Sequence, residues 1–483
     1  MPRIATRLTA IVATLGPATA EGNTLRRMVA AGMDVARLNF AHGDHASHAA
    51  MLDRLRAAAE AEGRFVAVLQ DLAGPKLRLR TPGGENLDLA AGDRVRLVAD
   101  LGESPQPADL ALNRPAVLDD LAEGQPVLFG DGAVRTRVRG RDPGAVFLES
   151  EEAGVLSPGM GVNLPETAVT LPLPTDEDWT DLAWGIAREV DYVALSFVRS
   201  AEEVRRAKAH LAQQGSGARV IAKIEKPEAV GAADAILAEA DAVLVARGDL
   251  GVEMDLARVP VIQKDLIRLA ASAGVPVITA TQMLQSMLSE PRPTRAEVSD
   301  VAGAVFDGSD ALMLSGETAV GRHPVRAVET MDHIIDVAED WAERAGWPAS
   351  TAHLERYVWS ERAIVAGAAG IARDLDVRLI AALTHSGTTA LLISKQDLRT
   401  PILAISDSEA TCRRMALYRG VTPVHRPQLI PHEELAPAVE RIARDRKLVA
   451  DGERILILGG YLPGRPGTTD TLRVHTVGEG TAS

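Results

Sequence analysis

Eight short apolar runs recur along the chain at the spacing of one strand plus one helix, at residues 10–15, 35–40, 65–71, 192–198, 219–225, 242–246, 275–281 and 311–315. They are rich in Val, Ile, Leu and Ala, and amphipathic segments at 24–31, 48–62, 201–214, 229–240 and 262–273 separate most of them. That texture is the signature of repeated βα units. Eight such units predict an α/β chain built on a closed (β/α)8 barrel.

Polar residues gather at one end of these runs: Thr14, Arg37 and Asn39, Asp71, Ser196, Lys223 and Glu225, Arg247 and Asp249, Thr281, and Ser315 with Glu317. All lie at or just past the C-terminal end, where the βα loops of such a barrel converge on the active site. Side chains alternate along a strand, so Lys223 and Glu225 are expected on one face, and Arg247 and Asp249 together on the next strand. Two carboxylates beside a lysine suit a divalent cation that grips phosphate or enolate oxygens, while the ammonium neutralises developing charge. Taken alone, such a pair reads as a salt-bridged strand end. Its place in a row of polar strand ends favours a site.

Between the third and fourth runs the texture changes to short alternating segments at 93–98, 126–129, 134–138 and 145–148, broken by Gly, Asp and Pro. This predicts a small inserted β-barrel at 81–164, seated over the barrel mouth as a lid. Within it Gly130-Asp131-Gly132 reads as a hairpin turn, with Asp131 reaching the substrate as the alternative. The catalytic barrel then comprises 1–80 and 165–346. A polar stretch at 346–360 leads to a helix at 361–374 and strands at 377–384, 401–406, 421–425 and 454–459, an open α/β sheet domain spanning 347–483.

The formal net charge of -14 argues against nucleic-acid and anionic-membrane partners, which need broad cationic surfaces. One cysteine, Cys412, permits no intramolecular disulfide and reads as structural. Arg3 and Arg7 ahead of an apolar stretch superficially resemble a secretory leader, but Gly16-Pro17 interrupts it. No apolar run approaches the roughly 18 residues that span a bilayer. A cytoplasmic location is expected.

Contiguous words then carry a resemblance to pyruvate kinases: Ala13-Thr-Leu-Gly-Pro-Ala18, Gly32-Met-Asp-Val-Ala-Arg-Leu-Asn-Phe40, Ala222-Lys-Ile-Glu225, Ala246-Arg-Gly-Asp-Leu-Gly251, Ala280-Thr-Gln-Met-Leu284, Pro293-Thr-Arg-Ala-Glu297 and Met313-Leu-Ser-Gly-Glu-Thr-Ala319. The resemblance covers nearly the whole chain and implies phosphoryl transfer from phosphoenolpyruvate to ADP, giving pyruvate and ATP. It also implies Mg2+ or Mn2+ as cofactor and a homotetramer. On the matching positions, Glu225 and Asp249 are similar to the divalent-metal ligands, Lys223 to the lysine beside the transferring phosphoryl group, and Arg37 to the phosphate-contacting arginine. Gly248, Asp249 and Thr281 resemble the substrate carboxylate pocket, and Thr281 and Ser315 the hydroxyl groups of a proton relay to the enolate. Thr14, Pro17, Asn39, His42 and Arg78 match nucleotide-side positions, whereas a nucleotide-contacting lysine after the lid is replaced by Glu177.

Two further features depart from or extend that pattern. Where many pyruvate kinases hold a monovalent cation, this chain reads Asn39-Phe-Ala-His-Gly43 and Asp71-Leu-Ala-Gly-Pro-Lys76: a serine oxygen is gone and a glutamate has become lysine. Beside Asp71, Lys76 is therefore expected to supply the unit charge that potassium supplies elsewhere, so that K+ is not required; the alternative is a solvent-facing lysine with potassium still bound. In the third region Thr384, Ser386, Gly387, Thr388 and Thr389 follow a strand and open a helix, resembling a phosphate-binding effector loop. Loop 459–470, with Gly464 and Gly467, is expected to cover the other end of that phosphorylated effector. A metal-dependent lyase acting on phosphoenolpyruvate or pyruvate, and a catalytically silent metabolite sensor, are the competing readings.

Overall fold

Strand Ala10–Thr14 pairs in parallel with Ala311–Leu314 on one side and Val35–Asn39 on the other, so the run of strands closes on itself. The remaining barrel strands are Ala67–Asp71, Tyr192–Leu195, Arg219–Ile224, Ala242–Ala246 and Val277–Ala280, each beside its sequence neighbour. The computed structural model describes residues 7–346, 354, 357, 359–396, 398–428, 430, 434–460 and 469–479. Among these residues, no helix is long and apolar enough to cross a membrane.

Alternation along each strand divides the barrel core in two. Ala10, Val12, Val35, Leu69, Leu244, Ile278 and Met313 fill the interior, while Ile11, Ala13, Leu38 and Val243 face the surrounding helices. Because both faces are buried, the strands read as near-continuous apolar runs in the sequence.

The inserted lid is a second closed barrel, of seven strands, with Phe129 fully buried in its core. Its sheet draws one strand from Leu77–Arg80 and another from Gly161–Asn163, which pair with each other. Pro126–Phe129 and Val134–Asp142 form the expected hairpin, and Asp131 adopts a left-handed conformation (φ 56°) in its turn.

In the C-terminal domain four parallel strands, Val421–His425, Ile402–Ser406, Leu379–Leu383 and Arg454–Gly459, are joined by a fifth, Thr471–Thr476, which runs antiparallel at the edge. The sheet is therefore mixed. That fifth strand carries exposed Arg473 and Val474 and lacks an apolar run, as edge strands often do. Leu417 of this domain is fully buried in the interior cluster of the large barrel, and Tyr418 packs against it. Truncating such a leucine typically costs about 2–5 kcal/mol, so the domain is firmly seated on the barrel floor. A buried ion pair between Lys395 and Asp310, at 2.5 Å, crosses the same boundary.

Candidate active site

The polar strand ends form one connected network. Arg37, in strand Val35–Asn39, donates from Nη1 to Thr14 Oγ1 (2.9 Å) and from Nε to Asp71 Oδ2 (2.6 Å). The other Asp71 oxygen lies 3.2 Å from the Lys223 ammonium, which also reaches Glu225 Oε1 at 2.9 Å and donates to Ser196 Oγ at 2.7 Å. Glu225 follows the end of strand Arg219–Ile224, and its Oε2 accepts from the Phe197 amide at 2.7 Å. Five strands thus contribute to one cluster of buried charge.

Burial alone would lower the Lys223 pKa, but Asp71 and Glu225 outweigh it and hold the ammonium charged above its ordinary value. Burial acts on Asp71 in the opposite sense and is likewise overcome, by Lys223 and Arg37, so this carboxylate stays ionised. Glu225 is different. Burial pushes its pKa up, and the nearby Asp249 charge adds to that push against Lys223. Glu225 in that condition is short of positive charge.

Contrary to the expectation from strand alternation, Asp249 does not lie on a strand. The strand ends at Ala246, and Arg247–Glu253 turns at once into a helix, placing Asp249 in its first turn. Arg247 consequently shares no strand face with Asp249. It forms an ion pair with Asp300 (2.6 Å) and donates to the Thr281 carbonyl (2.7 Å), pinning the loop after the seventh strand.

That loop is strained. Thr281 and Gln282 adopt φ values of 71° and 56°, a region a β-branched residue rarely occupies. In return the Thr281 hydroxyl accepts from the Gly248 amide and donates to the Ala280 carbonyl, both at 2.6 Å. A Cβ on Gly248 would come within 3.3 Å of that hydroxyl oxygen, so the close approach favours glycine. Across the mouth the Ser315 amide donates to Glu317 (2.7 Å), while its buried Oγ has no hydrogen-bond partner among the described residues.

Thr14, Arg37, Asn39, His42, Lys223, Glu225, Asp249, Thr281 and Ser315 line one cavity of about 340 Å3, at the C-terminal end of the strands. The volume suits a small-molecule ligand. Asp71 lies behind the wall, its two oxygens committed to Arg37 and Lys223. Burial lowers the His42 pKa, and the positive charges of Arg78, Lys76 and Arg37 lower it further, which marks the opening as cationic.

A family model described as pyruvate kinase, barrel domain, matches residues 6–328, and one described as pyruvate kinase, alpha/beta domain, matches 362–475. The chain belongs to the pyruvate kinase family. Pyruvate kinases from Geobacillus stearothermophilus and Mycobacterium tuberculosis (strain H37Rv) are 40% and 39% identical to it. Each alignment covers 98% of this chain, and 81% and 99% of the respective relative. A crystal structure of a pyruvate kinase from Cryptosporidium parvum superimposes with a TM-score of 0.90 at 31% identity, over 98% of this chain and 97% of that one. The lyase reading is set aside: as a pyruvate kinase the enzyme is a phosphotransferase whose substrates are phosphoenolpyruvate and ADP.

Other residues matched to the pyruvate kinase pattern lie outside the main cavity. Lys76 lines a smaller cleft between lid and barrel, together with Asp131, Asn163, Lys226 and Glu253, and Asp249 borders both this cleft and the main cavity. Arg78 sits on a lid strand and donates to the Gly159 carbonyl at 3.1 Å. Pro17 occupies a short 3-10 turn, Pro17–Thr19, and is not among the residues that line the cavity. Glu177 forms an ion pair with Arg114 of the lid at 2.8 Å.

In the C-terminal domain Thr384 Oγ1 accepts from the Gly387 amide (2.9 Å), and Ser386 and Thr388 share a hydroxyl–hydroxyl bond (2.9 Å). Gly387, at φ 90°, precedes the seven-residue helix Thr388–Ser394. Thr389 points inward and bonds Thr469 at 2.7 Å. Gly464 and Gly467 of loop 459–470, expected to cover an effector, lie outside the described residues.

Two groups escaped the reading of sequence alone. Ser196 was visible as a polar strand end, but nothing local marks it as the partner of Lys223. The contacts among Asn163, Lys226 and Glu253 join segments far apart in the chain and leave no sequence signal.

Proposed function

We propose that this pyruvate kinase transfers the phosphoryl group with Lys223 and Arg37 as its cationic side chains and a divalent cation, Mg2+ or Mn2+, held by Glu225 and Asp249. The donor set fits: hard cations of this kind are bound by one or two carboxylates with substrate oxygens completing the shell, and Glu225 is short of positive charge. When bound, such an ion neutralises negative charge on phosphoryl and enolate oxygens.

The bond from phosphorus to the enol oxygen breaks as one to the ADP β-phosphate forms. Lys223, kept protonated by Asp71 and Glu225, faces the oxygen on which charge develops. Arg37 spends Nε and Nη1 on Asp71 and Thr14; its Nη2 has no partner among the described residues and is free for a phosphate oxygen. Thr281 and the Gly248 and Asp249 backbone hold the substrate carboxylate. The enolate then takes a proton at its methylene carbon through Thr281 and Ser315, and the unpartnered Ser315 hydroxyl supports that role. Thr14, Asn39, His42 and Arg78 line the nucleotide side.

We infer that potassium is not required. Ala41 and Leu72 offer no side-chain oxygen, Asp71 is already neutralised by Arg37 and Lys223, and Lys76 brings an ammonium to the cleft that Asp249 also lines. A phosphorylated metabolite at Thr384, Ser386, Gly387, Thr388 and Thr389 is inferred as effector, supported by the hydroxyl-rich loop ahead of the helix. A cytoplasmic homotetramer is proposed from the family likeness, with exposed Leu256, Val261, Val337 and Trp341 on the outer barrel as apolar surface for subunit contact.

The observation that carries the reading is the Lys223 ammonium wedged between Asp71 and Glu225 on the wall shared with Asp249. An initial-rate assay of pyruvate release from phosphoenolpyruvate, with and without ADP, tests it. Strict ADP dependence is expected; pyruvate release at the same rate without ADP would overturn it.

A further inference from the structure

Among the described residues, two side-chain bridges run from the lid to helices of the large barrel. Arg114 to Glu177 is a surface pair, with the Glu177 side chain 66% exposed, and such pairs contribute little. The second is partly buried at its lid end and buried at its barrel end. Asn163, on lid strand Gly161–Asn163, donates from Nδ2 to Glu253 Oε1 at 2.9 Å, and the other Glu253 oxygen lies 2.8 Å from the Lys226 ammonium. The Lys226 and Glu253 side chains are only 11% and 1% exposed.

The position of this bridge matters more than its strength. Glu253 lies one helical turn after Asp249 on helix Arg247–Glu253, and both line the cleft beneath the lid. Lys226 directly follows Glu225. The bridge therefore ties the lid to the two segments that carry the paired carboxylates.

We propose that Glu253 is a positioning residue, which latches the lid through Asn163 and, through Lys226, holds the segments bearing Glu225 and Asp249 in register with the docked lid. This rests on the assignment of Glu225 and Asp249 as the divalent-cation ligands. A shift of about 1 Å in such groups can cost about a hundredfold in rate, so a latch remote from the reacting atoms has leverage on turnover.

Three variants separate the two arms. Asn163→Ala removes the lid arm and leaves the ion pair. Asn163→Asp is isosteric but sets a carboxylate against Glu253. Glu253→Gln keeps an acceptor for Asn163 but leaves Lys226 without its counter-charge. For Asn163→Ala, kcat is expected to fall about tenfold with KM for phosphoenolpyruvate within about twofold, while hydrogen exchange at 161–163 quickens about tenfold and barrel strands stay unchanged. Asn163→Asp is expected to be at least as damaging. Glu253→Gln is expected to weaken Mn2+ binding to the free enzyme, measured by electron paramagnetic resonance, by about fivefold or more, whereas Asn163→Ala leaves it within about twofold. A parent-like kcat and parent-like lid exchange in Asn163→Ala overturn the latch; unaltered Mn2+ binding in Glu253→Gln overturns the Lys226 arm. In parallel, unaltered Mn2+ affinity in Glu225→Gln would refute the ligand assignment alone, because lid exchange reports on the latch without reference to the metal.

Discussion

Asp71 lies between Arg37 and Lys223, 2.6 Å from the Arg37 Nε and 3.2 Å from the Lys223 Nζ, with its side chain 1% exposed. One buried carboxylate therefore bridges the two cations assigned to the substrate's phosphate and enolate oxygens, sharing Lys223 with Glu225. Asp71→Asn keeps the shape and removes the charge. Leaving buried charges uncompensated typically costs about 3–5 kcal/mol, so chemical denaturation should show a loss of that order, and kcat should fall about a hundredfold or more.

Potassium provides the test of Lys76. Initial rates in potassium and in a bulky organic cation at equal ionic strength should agree within about twofold; a tenfold advantage for potassium, about 1.4 kcal/mol of barrier, would refute the substitution. Lys76→Met should lose activity in both salts, and added potassium should not restore it, since Ala41 and Leu72 bring no oxygen ligand.

The strained Thr281 hydroxyl has two bonds, from the Gly248 amide and to the Ala280 carbonyl. Thr281→Ser preserves both and should retain kcat within about tenfold, whereas Thr281→Ala should lose about 10²–10⁴-fold, the range typical of a positioned proton-transfer group. Equal losses in the two variants would remove the hydroxyl from the mechanism.

Burial pushes the Cys412 thiol up to about 12. Between about pH 8.5, the ordinary thiol value, and that figure, the unfolded chain loses a proton that the folded chain keeps, so folding stability drops as pH rises. Below that window the thiol contributes no pH dependence. Denaturation at pH 8 and 9.5 should show the parent losing about 1.2 kcal/mol more than Cys412→Ala, and the native thiol should resist a disulfide reagent at pH 8.

The barrel was legible because its strands are buried on both faces and read as apolar runs, and because the polar residues that break the pattern sit at one end of each. The same logic failed at Arg247: strand alternation was extended past Ala246, where the backbone turns into a helix whose seven residues are too few to announce themselves by periodicity. Edge strand Thr471–Thr476 was missed for the opposite reason, since one exposed side leaves a polar strand without an apolar signature. The cavity residues could be named from local words, but the partners that set their charge, Ser196 with Lys223 and Asp71 between two cations, are long-range contacts that only the closed barrel creates.

The central claim is that the Lys223 ammonium acts on the reacting oxygens and is not required to bind the divalent cation. Lys223→Met, assayed for turnover with phosphoenolpyruvate and ADP alongside Mn2+ binding by electron paramagnetic resonance, separates the two. Turnover is expected to fall about a thousandfold or more with Mn2+ affinity retained within about threefold, as expected when a group that stabilises developing charge is removed. Turnover within about tenfold of the parent would contradict the account.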